Sequence, residues 1–177
     1  MIRLAIPLLA ATALTLQGDA IAMQSAGDAR ASLHNAQGRV VGEAVVSGER
    51  GAVRVRLRVH GFVPGTHGVH LHETGRCDAP AFASAGPHWN PAGRQHGRLN
   101  PQGPHLGDLP NLQVDPVGNG RLEFVIAVPA GTGRQANMLR DADGTAIVIH
   151  AAADDDRTDP AGNSGARIAC GVLAPVR

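Results

Sequence analysis

The chain has nine histidines in 177 residues. They are His34, His60, His67, His70, His72, His88, His96, His105 and His150. Imidazole is the commonest protein ligand for metal ions at neutral pH. His70-Leu71-His72 places two rings at i and i+2, which on a strand point to the same face and can chelate one ion. His67 lies an odd number of residues before His70, so the same strand would send it to the opposite face. His88, His96, His105 and Asp108 follow within one segment. Three imidazoles and a carboxylate make a sufficient tetrahedral set for zinc. The carboxylate also offsets part of an ion's charge. His150 stands far along the chain and joins such a site only if the fold returns its strand there. His34 and His60 read as structural or surface residues. Residue type and spacing therefore predict one or more imidazole-rich sites suited to zinc or copper. They do not divide the ligands between ions.

Positioning these side chains falls to strands. Val53-Arg54-Val55-Arg56-Leu57-Arg58-Val59 alternates apolar and charged residues at period 2, the pattern of an antiparallel strand with one wet face. Strands are also predicted over Ala31–His34, Val40–Val46, Val69–His72, Leu122–Val128, Thr145–His150 and Ile168–Leu173. A turn at Asn35-Ala36-Gln37-Gly38 and the Gly118-Asn119-Gly120 signal punctuate them. No convincing amphipathic helix appears. Several short strands with Gly- and Pro-rich turns point to an all-β sandwich or barrel. Two segments do not read as strands: Glu73 to about Gln113, and Ala151 to Ala166. Loops this long are uncommon unless functional, and the first holds His88, His96 and His105.

The N-terminus reads as an export signal. Met1-Ile2-Arg3 carries one positive charge, Leu4–Leu16 is almost wholly apolar, and Ala20-Ile21-Ala22 has a small-x-small pattern. Residues 1–22 are expected to be a signal peptide, 23–30 a short mature leader, and 23–177 a single domain. The apolar run is shorter than the roughly 20 residues of a membrane span, so no membrane association is expected after cleavage. Cys77 and Cys170 are the two cysteines. An even count in an exported protein suggests a disulfide. The formal net charge is +1, which argues against nucleic acid as a partner. All basic residues are arginine. With three Phe, one Trp and no Tyr, any core rests on aliphatic side chains.

Four segments, in order, carry a resemblance to a known family. They are Gly68-Val69-His70-Leu71-His72-Glu73, Ala85-Gly86-Pro87-His88-Trp89-Asn90-Pro91, His105-Leu106-Gly107-Asp108-Leu109-Pro110-Asn111-Leu112, and Gly162-Asn163-Ser164-Gly165-Ala166-Arg167-Ile168-Ala169-Cys170-Gly171-Val172. From about Arg30 to Val176 the chain resembles the copper,zinc superoxide dismutases in their bacterial periplasmic form. The resemblance implies a Greek-key antiparallel β-barrel or sandwich with two long functional loops. It implies copper on His70, His72, His88 and His150, and zinc on His88, His96, His105 and Asp108, with His88 bridging both. Asp154 would link His70 to His96, Arg167 would stand beside copper, and Cys77 and Cys170 would form the intrasubunit disulfide. His67 matches a structural family histidine.

The implied reaction is disproportionation of superoxide to dioxygen and hydrogen peroxide by one-electron cycling of copper, with zinc structural. His88 and Arg167 are the residues expected to act in catalysis, and the implied role is protection of the cell envelope. Periplasmic localisation and a homodimer complete the expectation. A non-enzymatic metal-storage module on the same fold would be expected to lack a copper ligand or Arg167. A copper-only dismutase would lack His96, His105 and Asp108. All these residues are present. The acidic run Asp154-Asp155-Asp156-Arg157-Thr158-Asp159 stands near the expected approach of an anionic substrate, where Arg167 is the only arginine assigned to attract it.

Overall fold

The computed structural model describes residues 29–49, 51–128 and 142–175. The expected signal peptide and most of the expected leader lie outside the described residues.

Nine strands are present among these residues: β1 Ala29–Asn35, β2 Val40–Glu49, β3 Ala52–Val59, β4 Gly65–His67, β5 Val69–His72, β6 Leu112–Val114, β7 Gly120–Ala127, β8 Thr145–His150 and β9 Arg167–Pro175. They form one sheet in the order β4-β6-β7-β3-β2-β1-β9-β8-β5, and the strand pairings are antiparallel. β4 and β5 end the order but are joined through Gly68 alone, so the sheet curls into a nearly closed barrel. Gly68 continues the pairing of β5 with β8, donating to Ala152 O at 2.8 Å and accepting from His150 N at 2.9 Å.

All seven expected strands recur in place, with ends shifted by no more than three residues. β1 begins at Ala29, inside the segment expected as leader. Ala29 is buried and opposes Val46 on one side and Pro175 on the other. β4 and β6 were not expected. Each has three residues, too few to show a period. They pair with each other, with His67 opposite Leu112. His67 therefore belongs to β4 and not to the strand of His70.

The alternation in β3 sets the inside and outside of the barrel. Val53, Val55, Leu57 and Val59 are buried, while Arg56 and Arg58 are exposed. The core they join includes Leu33, Val46, Val69, Leu71, Leu112, Ile147 and Ile149. Burying each such side chain stabilises the fold by roughly 1.5–3 kcal/mol. β5 and β8 are buried along their whole length. Their odd positions, Val69, Leu71, Ile147 and Ile149, fill the barrel. Their even positions face the other way, under the loops. Ala146 and Val148 pack there with Phe82, Ala85 and Cys170 in a second small core.

The long loop covers the free edge of β5. Trp89 N donates to Leu71 O at 2.8 Å, Leu71 N to Gly107 O at 2.9 Å, and Leu109 N to Val69 O at 3.2 Å. Isolated bridges align His72 with His88 and His70 with Asp108. The loop thus satisfies an edge that would otherwise be unpaired, and the same contacts fix the register of its ligands against β5. A disulfide between Cys77 and Cys170 ties this loop to β9, closing 93 residues of chain.

Candidate metal centre

β5 and β8 are adjacent, with His70 opposite Val148 and His72 opposite Ala146. This pairing brings His150 back to the His-x-His pair. His70, His72, His88 and His150 present ligand atoms within 4.8 Å of one another, and all four residues are buried. The outer nitrogen of three rings is fixed by an acceptor. His70 Nε2 donates to Asp154 Oδ2 at 2.6 Å, His72 Nδ1 to Gly86 O at 2.9 Å, and His150 Nδ1 to Gly165 O at 3.1 Å. A carbonyl or carboxylate acceptor holds the proton on that nitrogen, so the other nitrogen carries a bare lone pair. Those nitrogens, His70 Nδ1, His72 Nε2 and His150 Nε2, are buried and have no hydrogen-bond partner. Unpartnered buried acceptors are costly, and a metal ion is what would satisfy three converging ones.

Burial also keeps these rings neutral. It lowers the pKa of His72 to about 2, of His70 to about 3 and of His150 to about 4, with the other rings of the cluster adding to the shift. Neutral imidazole is the ligating form.

The second group converges on one oxygen. Asp108 Oδ1 lies 2.9 Å from His88 Nδ1, 3.1 Å from His96 Nδ1 and 3.2 Å from His105 Nδ1. Asp108 Oδ2 accepts from the backbone of Gly97 at 2.9 Å and of His105 at 3.0 Å, which leaves Oδ1 pointing into the cluster. His70 also comes within 4.8 Å of His88, His96 and Asp108. Its Nε2 is committed to Asp154, however, and its Nδ1 to the first group. His105 is the ring whose Nδ1 completes this set. Burial alone would raise the carboxyl pKa of Asp108, but hydrogen bonds from His105, His88 and His96 hold it far below the carboxylate range. Burial would likewise lower the pKa of His96. Hydrogen bonds to Asp108 and Asp154 override it and raise the value to about 10.

His88 belongs to both groups. Its ring centroid is 3.9 Å from that of His70 and 4.9 Å from that of His72 on one side, and 5.2 Å from His96 and 5.4 Å from His105 on the other. Asp154 links the groups a second time, because its Oδ2 holds His70 and its Oδ1 accepts from His96 Nε2 at 3.0 Å. His67 stands apart, with its ring nitrogens 2.8 Å from His150 O and 2.9 Å from Val63 O.

Several supporting residues went unassigned in the sequence. Asn111 clamps the Asp154 backbone from both sides, donating to its carbonyl and accepting from its amide, each at 2.8 Å. The acidic loop is largely consumed in holding its own shape. Asp155 Oδ1 accepts from the backbone of Arg157 and Thr158, Asp156 forms a two-pronged pair with Arg98, and Asp159 accepts from His96 N at 2.6 Å. Asn111 stands in one of the recognised segments, and Asp159 in the acidic run, but no pattern marked their roles.

Beside the clusters lies a cleft of about 870 Å³, lined by residues that include His88, His150, Arg94, Asp159 and Arg167. Arg167 donates to Phe82 O and Gly86 O, each at 2.8 Å. Those bonds pin the guanidinium at the cleft wall. Arg94 is anchored to Gly103 O at 2.7 Å, so Arg167 is not the only cation at the approach.

Residues 36–173 match the family described as copper/zinc superoxide dismutase. The chain belongs to the copper/zinc superoxide dismutase family. It is 43% identical over 146 residues to superoxide dismutase [Cu-Zn] 2 of Aquifex aeolicus, covering 82% of this chain and 85% of that protein. It is 41% identical over 140 residues to the superoxide dismutase [Cu-Zn] of Caulobacter vibrioides, covering 77% and 79%. The crystal structure of a SOD-like protein from Bacillus subtilis superposes with a TM-score of 0.74 at 40% identity, covering 81% of this chain and 97% of that one. The family's cofactors are copper and zinc, and the donor sets fit them. The all-imidazole group suits copper, and three imidazoles with a carboxylate suit zinc.

Proposed function

We propose that the protein is a superoxide dismutase: it converts two superoxide anions and two protons into one dioxygen and one hydrogen peroxide. His70, His72, His88 and His150 hold copper, and His88, His96, His105 and Asp108 hold zinc. The observation that carries this reading is the shared His88 ring, flanked by bare nitrogens on one side and by Asp108 on the other. Copper supplies the one-electron chemistry, for which zinc has no capacity.

The chain's own groups do the rest. Arg167 binds and orients the superoxide anion at the mouth of the site. Its two carbonyl anchors keep the guanidinium in place without neutralising it. His88 turns Nδ1 toward Asp108, so Nε2 is the atom that takes up a proton and delivers it to the reduced oxygen species. Asp154 and the Gly86 and Gly165 carbonyls hold the ring tautomers, so the lone pairs need no reorganisation. The packed loops exclude water from His70 and His72, while the cleft leaves His88, His150 and Arg167 accessible to a small anion.

The proposal places the protein in the cell envelope after removal of a signal peptide, where it protects the envelope from superoxide. The disulfide supports an oxidising compartment. A homodimer is the proposed assembly, and sedimentation at micromolar concentration tests it, with a monomer as the contrary result.

The shared ring has a spectroscopic test. Adding zinc to the copper-loaded protein should shift the visible copper absorption, and His88→Ala should abolish that shift. An unshifted wild-type spectrum at full zinc loading would refute the bridge.

A further inference from the structure

A surface depression lies on the β3–β7 part of the sheet, away from the metal clusters. β3 and β7 sit mid-order in the sheet, away from β8 and β5 at its end. Their register sets Arg58 directly opposite Arg121. Directly opposed residues have Cβ atoms about 4.5–5.5 Å apart, and like charges there are destabilising. The neighbouring cross-strand pair is complementary: Arg56 faces Glu123, and Arg54 reaches the same carboxylate at 2.9 Å. Arg121 has no carboxylate opposite it in the register, whereas Arg58 has Glu43 opposite it on β2. Among the described residues neither guanidinium forms an ion pair, although Glu43 opposes Arg58 from β2.

The two arginines line a surface depression of about 520 Å³ with Gln113, Asp115 and Asn119. Gln113 Oε1 accepts from Thr66 at 2.9 Å, which leaves its amide N–H groups for the depression. Among the described residues Asp115 is the only carboxylate in the lining. Its Oδ1 is occupied by the backbone amides of Val117 at 3.0 Å and Asn119 at 2.8 Å, so the charge is partly satisfied within its own turn. Two guanidinium side chains and an amide thus line one open depression. Such donors match the oxygens of a tetrahedral anion.

We propose that Arg58 and Arg121 form a docking site for a phosphoryl group, separate from the metal cleft. An anion held between them would offset the cross-strand repulsion that remains beside Glu43.

The test uses the copper- and zinc-loaded protein in a low-chloride buffer of fixed ionic strength. Inorganic phosphate and pyrophosphate are titrated while thermal stability and binding heat are followed. The wild type should bind saturably and rise in Tm. Arg58→Gln and Arg121→Gln should each weaken binding by at least about tenfold, with the dismutation rate unchanged. Arg121→Gln, which leaves Arg58 beside Glu43, should also have a higher Tm than the wild type when phosphate is absent. Unsaturable binding, an equal effect of chloride at matched ionic strength, or full binding by both variants would overturn the proposal. Vesicles of phosphatidylcholine with and without phosphatidylglycerol identify the source. Capture lost in both variants assigns the site to a lipid headgroup, and phosphate binding without capture assigns it to a soluble phosphate.

Discussion

Alanine at position 162 would separate the role of the Asp154 bridge from that of the loop that carries it. Gly162 has φ +60°, and a Cβ there would overlap Asp154 Oδ1, lie 2.5 Å from Asp154 Cγ and 2.8 Å from His96 Nε2. The carboxylate would have to leave its place between His70 and His96. Two costs follow. A left-handed conformation costs an alanine about 1–2 kcal/mol, which lowers Tm by about 2–8 °C for a domain of this size. Losing an outer hydrogen-bond partner weakens metal affinity about 10- to 100-fold, or about 1.4–2.7 kcal/mol. Gly38 isolates the first cost, because it has φ +74° and nothing within 4 Å of its Cβ position. Competition with a chromophoric chelator measures copper and zinc affinity, and thermal unfolding of the metal-free protein measures the backbone cost. Gly38→Ala should lose stability and keep its metal affinities. Gly162→Ala should lose both. Wild-type affinity for both metals in Gly162→Ala would refute the claim that Asp154 orients the two ligand groups.

Arg167→Ala should lower the dismutation rate at least about tenfold with copper and zinc content nearly unchanged by metal analysis; full activity would remove Arg167 from the mechanism. Arg94→Gln should lower the rate less and flatten its dependence on ionic strength, measured by superoxide decay across a salt series. Reducing the Cys77–Cys170 bridge, which spans 93 residues, should cost about 4.6 kcal/mol in the chain-entropy treatment, read from denaturant unfolding with and without reductant. The metal-free protein should be most stable near pH 6.5. Below it, His70, His72 and His150 stay neutral when folded, at about 3, 2 and 4, but protonate once unfolded at their ordinary 6.5. The unfolded state then binds more protons and stability falls with pH. Above it the sign reverses, because folded His96 keeps its proton to about 10, so stability falls as pH rises toward 10. Denaturation midpoints across pH 4–10 (a range set by those shifts) check both arms.

Much of the site was legible because its ligands obey local rules. His70 and His72 share a face through strand parity, spacing gathered the loop ligands, and the family resemblance assigned His150. β8 is what makes His150 a neighbour, and only the pairing of β5 with β8 shows that. The two short strands were not legible, since three residues carry no period, and β4 claims His67 through a long-range pairing with β6. The parity argument did separate His67 from His70, but the structure separates them by strand as well as by face. The acidic run looked adverse to an anionic substrate. Asp155, Asp156 and Asp159 bond amides and Arg98 instead. The pairings of Asp156 and Asp159 join segments more than fifty residues apart, and spacing does not reveal them. Asn111 and Gly162 act on Asp154 through contacts that no motif marked.

The central claim is that the paired clusters around His88 catalyse superoxide disproportionation. Pulse radiolysis of the zinc-loaded protein at graded copper occupancy tests it most directly. The account predicts superoxide decay that accelerates in proportion to bound copper and returns to the uncatalysed rate when copper is removed. Full copper and zinc occupancy with decay no faster than in the metal-free protein would contradict it, and would make this chain a metal-holding member of the family and not an enzyme.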